Sequence, residues 1–189
     1  MKNIFLSFYY FFTLNFEELI LILNSFTLET TWLFFIIFCF SSVLILLKLF
    51  GELGLYLYTI VAVITANIQV LKIVKFKFFD DPVALGTILF ASIFFCTDIL
   101  NEHYSSSKAR KNVILGFVGF LLMTLIMIIT LGFKPISADV VGNEYNYALN
   151  IQSNLSAIFL PMPTFFIASM IAYLLSQYFD VWFYKYLLK

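Results

Sequence analysis

Chemistry in this chain starts with polar residues inside apolar surroundings. Asp98, Asn101 and Glu102 stand at i, i+3 and i+4, so on a helix both later residues can meet the first. Asn67 and Gln69 lie about one turn before Lys72, again within an apolar run. Ser169, Ser176, Gln177 and Asp180 form a third group. Ser169 and Ser176 are seven residues apart and Asp180 follows four later, which places them on one helical face. Carboxylates and amides of this kind read the edge of a polar heterocycle. They do not make a catalytic set: His103 is the only histidine, Cys39 and Cys96 are isolated, and no glycine-rich phosphate loop or Gly-x-Ser-x-Gly elbow occurs. The expectation is a protein that is not an enzyme, with no metal and no cofactor.

Each group also has a plainer reading. Ser169 and Ser176 suit helix packing, and Ala168, Ala172 and Ser176 give the small-residue stripe that lets membrane helices approach closely. Asp98 could pair with Lys108 or Arg110 across the same turn, and Glu102 and Asp180 could be interfacial carboxylates at helix ends. The cysteines read as small hydrophobes. An intramembrane enzyme built on Asp98 and Glu102 lacks an accompanying nucleophile or metal set.

The elements that would carry these residues are membrane helices. The chain has 189 residues, 62% hydrophobic and 12% charged, with mean hydropathy +0.99. A soluble domain is about half apolar and about a quarter charged. A helix needs about 20 mostly apolar residues to cross the hydrocarbon core. Residues 31–47, 53–71, 83–100, 113–133 and 163–183 are the expected spans. Lys134-Pro135 is a natural stop, and Pro161 and Pro163 suit a helix start. Residues 1–30 carry two short apolar runs broken by Glu17 and Glu18. They read as an interfacial segment rather than a signal peptide, since no small-residue cleavage site follows. Residues 134–160, with Asn143, Glu144, Asn146, Asn150, Gln152 and Asn154, read as a loop with a short surface helix. The fold class is therefore all-α, a polytopic helix bundle with about five transmembrane helices over residues 31–189. The net charge is zero, so nothing suggests a nucleic-acid partner. The surrounding partner is membrane lipid.

Three ordered strings add a resemblance. Ala66-Asn67-Ile68-Gln69-Val70-Leu71-Lys72 is the first. The second runs Phe95-Cys96-Thr97-Asp98-Ile99-Leu100-Asn101-Glu102-His103-Tyr104 with Lys108-Ala109-Arg110-Lys111, and the third joins Ala168–Tyr173 to Ser176–Trp182. Together they resemble the queuosine precursor transporter family, in the vitamin uptake transporter group, over residues 53–183. The resemblance implies a multi-pass bacterial inner-membrane protein that imports 7-cyano-7-deazaguanine, 7-aminomethyl-7-deazaguanine or queuine for tRNA modification. It makes Asp98, Glu102 and Asp180 candidates for the base edge, and Asn67 and Gln69 for the carbonyl or the 7-substituent. Lys72, Asn101, Ser169, Ser176 and Gln177 complete the candidate substrate-binding set.

The chain departs from the family pattern twice. Ser105 stands where members usually carry glycine. Past Asp180-Val181-Trp182 the family continues through a basic loop with Arg-Asn-Asn, Ser-Thr and Gln-x-x-Asp-Thr strings to further helices, whereas this sequence stops at Lys189. The expectation is a transporter domain lacking the usual C-terminal helices. The alternatives are a remnant, or a split-gene subunit that cannot transport alone and is completed by a downstream-encoded half or a homo-oligomer. On that expectation, residues 1–189 alone do not restore queuosine to tRNA, and added C-terminal helices do.

Sidedness follows from Lys and Arg near the helix ends. One side gathers Lys48, Lys108, Arg110, Lys111, Lys185 and Lys189; the other gathers Lys2, Lys72, Lys75, Lys77 and Lys134. The dense 108–111 cluster is placed in the cytoplasm and the N-terminus outside. Cysteine at position 106 (Ser106→Cys) should then resist an impermeant thiol reagent in intact cells, and Asn146→Cys should label. The reverse pattern would invert the orientation.

Overall fold

The computed structural model describes residues 2–136 and 146–187. Two short helices, α1 (Lys2–Phe12) and α2 (Phe16–Ser25), precede the bundle. At 11 and 10 residues neither can cross a bilayer. Leu14, with φ 56°, turns the chain between them. Then come α3 (Leu28–Phe50), α4 (Glu52–Gln69), α5 (Thr87–His103), α6 (Ser106–Gly132), α7 (Asn146–Phe159) and α8 (Met162–Leu187). Among the described residues, α3, α4 and α6 are long and apolar enough to span a membrane. Helix α5 has 17 residues and α8 has 26. The helical stop after Gly132, the start beside Pro163 and the short α7 all match the sequence reading. Asn143 and Glu144 lie outside the described residues.

One expected boundary moves. The span placed at 83–100 begins only at Thr87, because Val83 and Ala84 pair antiparallel with Val74 and Ile73 as strands β2 and β1. Asp80-Asp81-Pro82 breaks the apolar run, and Gly86 turns the chain into α5 with φ 114°. A Cβ at Gly86 would lie 3.0 Å from the Ala66 carbonyl oxygen, so the end of α4 and the start of α5 pack at backbone distance. Among the described residues, this two-residue ladder is the exception to an otherwise all-helical fold.

Helices α4, α5 and α6 pack on one another; α3 adds to α4 and α5, and α8 to α5 and α6. Their facing sides bury Leu55, Val63, Ala66, Ile93, Leu100, Val113 and Phe120 almost completely, while leucines, isoleucines and phenylalanines elsewhere on these helices are exposed. An apolar exterior is what lipid requires. Helix α4 lies antiparallel to α3 through the single turn residue Gly51 and parallel to α6, with Glu52 beside Lys108 and Thr59 beside Gly116. The positive residues 108–111 and the 72–77 segment therefore fall at opposite ends, as the sidedness analysis requires.

In the α3–α4 hairpin the two backbones approach closely at Gly54. A Cβ at Gly54 would fall 2.2 Å from the Leu46 carbonyl oxygen, which no side-chain movement relieves. Gly132 has nothing within 4 Å of the same position. Gly54→Ala should destabilise the detergent-solubilised protein by about 2–3 kcal/mol, whereas Gly132→Ala should be neutral or slightly stabilising. Thiol labelling of the buried Cys39 and Cys96 during heating reads the difference.

Candidate functional site

The inward face of α8 is set by Tyr173, Gln177 and Val181, at i, i+4 and i+8, all buried. The small-residue stripe Ala168, Ala172 and Ser176 is exposed, and the Ser169 side chain lies outside the described residues. Helix α8 is anchored by a buried hydrogen bond in which Thr97 Oγ1 on α5 donates to Gln177 Oε1 at 2.9 Å. The same α5 face continues one turn on to Asn101, 8% exposed. Gly116 on α6 meets Tyr173: a Cβ there would lie 2.9 Å from Tyr173 Oη. Because Ser106 and Arg110 line one groove with residues 175–182, α6 and α8 run antiparallel. One turn from Gly116 and one turn from Tyr173, in the same direction, lie Asn112 and Gln177. Asn112 and Gln177 thus come to one level of the bundle with Thr97, and Asn101 lies one turn nearer the α5–α6 connection.

Their hydrogen-bonding capacity is mostly unused. Among the described residues, both amide atoms of Asn101 and Asn112, Gln177 Nε2 and Tyr173 Oη have no hydrogen-bond partner. Asn112 and Gln177 are fully buried. A buried polar group without a partner costs about 1–3 kcal/mol, and buried polar groups are normally satisfied. These atoms lie within about two helical turns of one another on the facing sides of α5, α6 and α8.

Acidic groups border it. The carboxyl groups of Asp98 and Asp180 face each other across α5 and α8, with Glu102 nearby. Asp98 and Glu102 are exposed, and Asp180 is half-buried with Oδ2 inward and unpartnered among the described residues. The pairing of Asp98 with Lys108 or Arg110 considered from sequence does not form. Lys108 instead makes an ion pair with Glu52 and lies over the Tyr104 ring, while Arg110 Nε donates to the Ser106 carbonyl. Lys108 cannot reach back along α5 while α4 presents a carboxylate directly to it. Ser105, the departure from the family glycine, caps α6: its Oγ accepts from Lys108 N at 3.3 Å.

The remaining candidates sit elsewhere. Asn67 Nδ2 donates to the Val63 carbonyl at 2.8 Å, along its own helix. Gln69 and Lys72 line a separate cavity at the far end of α4. Lys111 lies over the Tyr56 ring, which fixes the level of Asn112 on α4. Gln69 is thirteen residues farther along α4, roughly 20 Å at about 1.5 Å per residue. One heterocycle cannot touch both groups. The packed residues Val63, Ile93 and Phe120, with the Tyr58–Ser92 hydroxyl pair at 2.8 Å, lie between. Sequence reasoning thus gathers five residues that the structure does bring together: Asp98, Asn101, Glu102, Gln177 and Asp180. It overlooks Asn112 and Tyr173. Asn112 follows a basic cluster and reads as loop; its four-residue spacing to Gly116 was the available signal.

Comparison with known proteins now fits this geometry. Residues 84–189 match the family model described as "Putative vitamin uptake transporter". The chain belongs to this family. The match covers α5, α6 and α8, the helices that carry the amide and carboxyl groups. The chain is also 38% identical over 154 residues, 82% of its length, to a protein of Bacillus subtilis (strain 168) named "Probable queuosine precursor transporter". It spans 62% of that relative's length. No solved structure matches it.

The orphaned amides make a stability prediction. Asn112→Leu removes two unpaired polar atoms and keeps the number and branching of side-chain heavy atoms, so it should raise the melting temperature of the ligand-free protein in detergent. A gain of about 1–2 kcal/mol is expected. A loss of stability would mean that Asn112 has structural partners in the membrane.

Proposed function

We propose that this chain imports a 7-deazaguanine precursor of queuosine across the bacterial inner membrane, as a multi-pass protein in which α3, α4, α5, α6 and α8 span. The observation that carries this reading is the cluster of unpaired amides of Asn101, Asn112 and Gln177 beside the facing carboxyls of Asp98 and Asp180. A deazaguanine presents adjacent N–H donors and a carbonyl acceptor on one edge. A carboxylate accepts from the donors bidentately, and an amide supplies the donor for the carbonyl. Two carboxylates facing each other repel unless donors or positive charge stand between them, so the edge of such a base relieves the pair as it binds. The name of the Bacillus subtilis relative agrees with this substrate class.

Transport needs this site to open to each side in turn. The Glu52–Lys108 ion pair and the Lys108–Tyr104 and Lys111–Tyr56 contacts close its nearer end. The packed layer around Val63, Ile93 and Phe120 closes the other. The exposed stripe of Ala168 and Ala172 on α8 is suited to packing against a further helix.

The test is queuosine in the tRNA of a host that can neither make nor import the precursor. The chain is expressed alone and together with the part of the Bacillus subtilis relative that it does not match. Asp98→Asn should lower precursor uptake ten- to a hundredfold at unchanged membrane level, matching loss of about 1.5–3 kcal/mol from one charge-assisted hydrogen bond. Asn112→Leu should abolish uptake despite its expected stability. Wild-type protein that restores no queuosine in either setting, or full uptake in Asp98→Asn, would refute the assignment.

A further inference from the structure

The second cavity, at the opposite end of the bundle, has the marks of a binding chamber in its own right. It measures about 480 Å³ and lies where α2, the first turns of α3, the end of α4 and the start of α5 meet. This volume falls within the range of small-molecule pockets. Its walls are mainly apolar and aromatic, with Phe26, Trp32 and Phe35, and its polar groups are few: Asn24, Gln69 and Lys72 are the ones that matter here. Gln69 Oε1 is buried and has no hydrogen-bond partner among the described residues. Lys72 is exposed at the rim and is the chamber's cation.

The aromatic wall is held in place from outside. Trp32 packs edge-to-face against Phe76, with ring centroids 5.9 Å apart, and Phe76 is 6% exposed. Glu29, one turn before Trp32, accepts from Lys77 N at 3.0 Å. These two contacts tie the β1–β2 connection onto the start of α3. An indole fixed in this way offers a stacking surface at little entropic cost, and Gln69 contributes an acceptor for a ring N–H. Lys72 contributes a donor for a carbonyl or nitrile.

From this geometry we infer a second ligand station, at the chamber walled by Trp32, Gln69 and Lys72, for the same class of planar, hydrogen-bonding heterocycle as the amide site. The inference rests on the proposed transport function and adds the place where ligand is held before or after crossing the packed layer. The chamber holds no carboxylate that would demand a doubly donating edge, so it binds the heterocycle more weakly and less selectively than the amide site. Most of its residues precede residue 84, where the family-model match begins.

The chain contains two tryptophans, so Trp182→Phe leaves Trp32 as the single indole. With this protein in lipid nanodiscs, titration with 7-cyano-7-deazaguanine should quench Trp32 emission saturably. Gln69→Leu should weaken that quenching about tenfold, the loss of one hydrogen bond. Lys72→Met, at an exposed side chain that folding does not need, should weaken it as well. Asn112→Leu, which disables the amide site, should leave it in place. Absence of saturable quenching in folded protein would overturn the second station, as would quenching lost with Asn112→Leu but untouched by Gln69→Leu and Lys72→Met. Uptake measured in parallel separates the two ideas: import without Trp32 quenching removes this station alone.

Discussion

Close approach of α4 and α6 is the constraint on which the rest of the bundle depends. Gly116 packs against Thr59 and Val63 on one side and Tyr173 on the other, and Gly119 packs against Ile60. Lipid supplies no hydrophobic force between membrane helices, so they associate through close packing and polar contacts. A glycine at the crossing lets α4, α6 and α8 share one small volume. That shared volume sets the register of α6 against α8, and with it the common level of Asn112 and Gln177. The Thr97–Gln177 hydrogen bond then fixes α5 against α8 and brings Asn101 and Asp98 to the same end.

The arrangement divides the membrane interior into two polar regions separated by an apolar layer. At one end lie the amides and the facing carboxyls; at the other lie Gln69, Lys72 and the aromatic wall around Trp32. Polar groups inside a membrane persist where they face protein or a cavity rather than lipid. The leucine and phenylalanine exteriors of α3, α4 and α6 follow the same rule in reverse. The proposed transport needs both conditions: polar groups able to replace the water a solute gives up, and a barrier that keeps the two ends from being wet at once.

Charge is handled differently at the two ends. Around Glu52 and Lys108, opposite charges pair and two aromatic rings cover the lysines. This neutralises the basic cluster locally and leaves Asp98 and Asp180 without a cation from the same loop. Under the proposed function, the acidic pair is open to a donor brought by the ligand. Had Lys108 paired with Asp98, the carboxylate would be occupied in its resting state and its use in recognition would require breaking that pair first.

The sequence alone located the membrane helices α3, α4 and α6, because about twenty consecutive apolar residues in a chain this poor in charge have no other stable medium. It also determined the helix ends at Lys134-Pro135 and Pro161–Pro163, and it singled out Asp98, Asn101, Glu102, Gln177 and Asp180, because polar residues stand out against hydrocarbon. The β1–β2 ladder was hidden, since Val83 and Ala84 continue an apolar run in composition and only the backbone turn at Gly86 separates them from α5. The partner of Lys108 was hidden too, because Glu52 is distant in sequence and adjacent only once α4 and α6 lie parallel. The same holds for Asn112 and Tyr173, and for the separation of Asn67, Gln69 and Lys72 from the carboxyl groups. Spacing along one helix fixes which residues share a face. Which faces meet, and at what level, is decided by interhelical packing at Gly54, Gly86, Gly116 and Gly119, and no pattern within a single span records that.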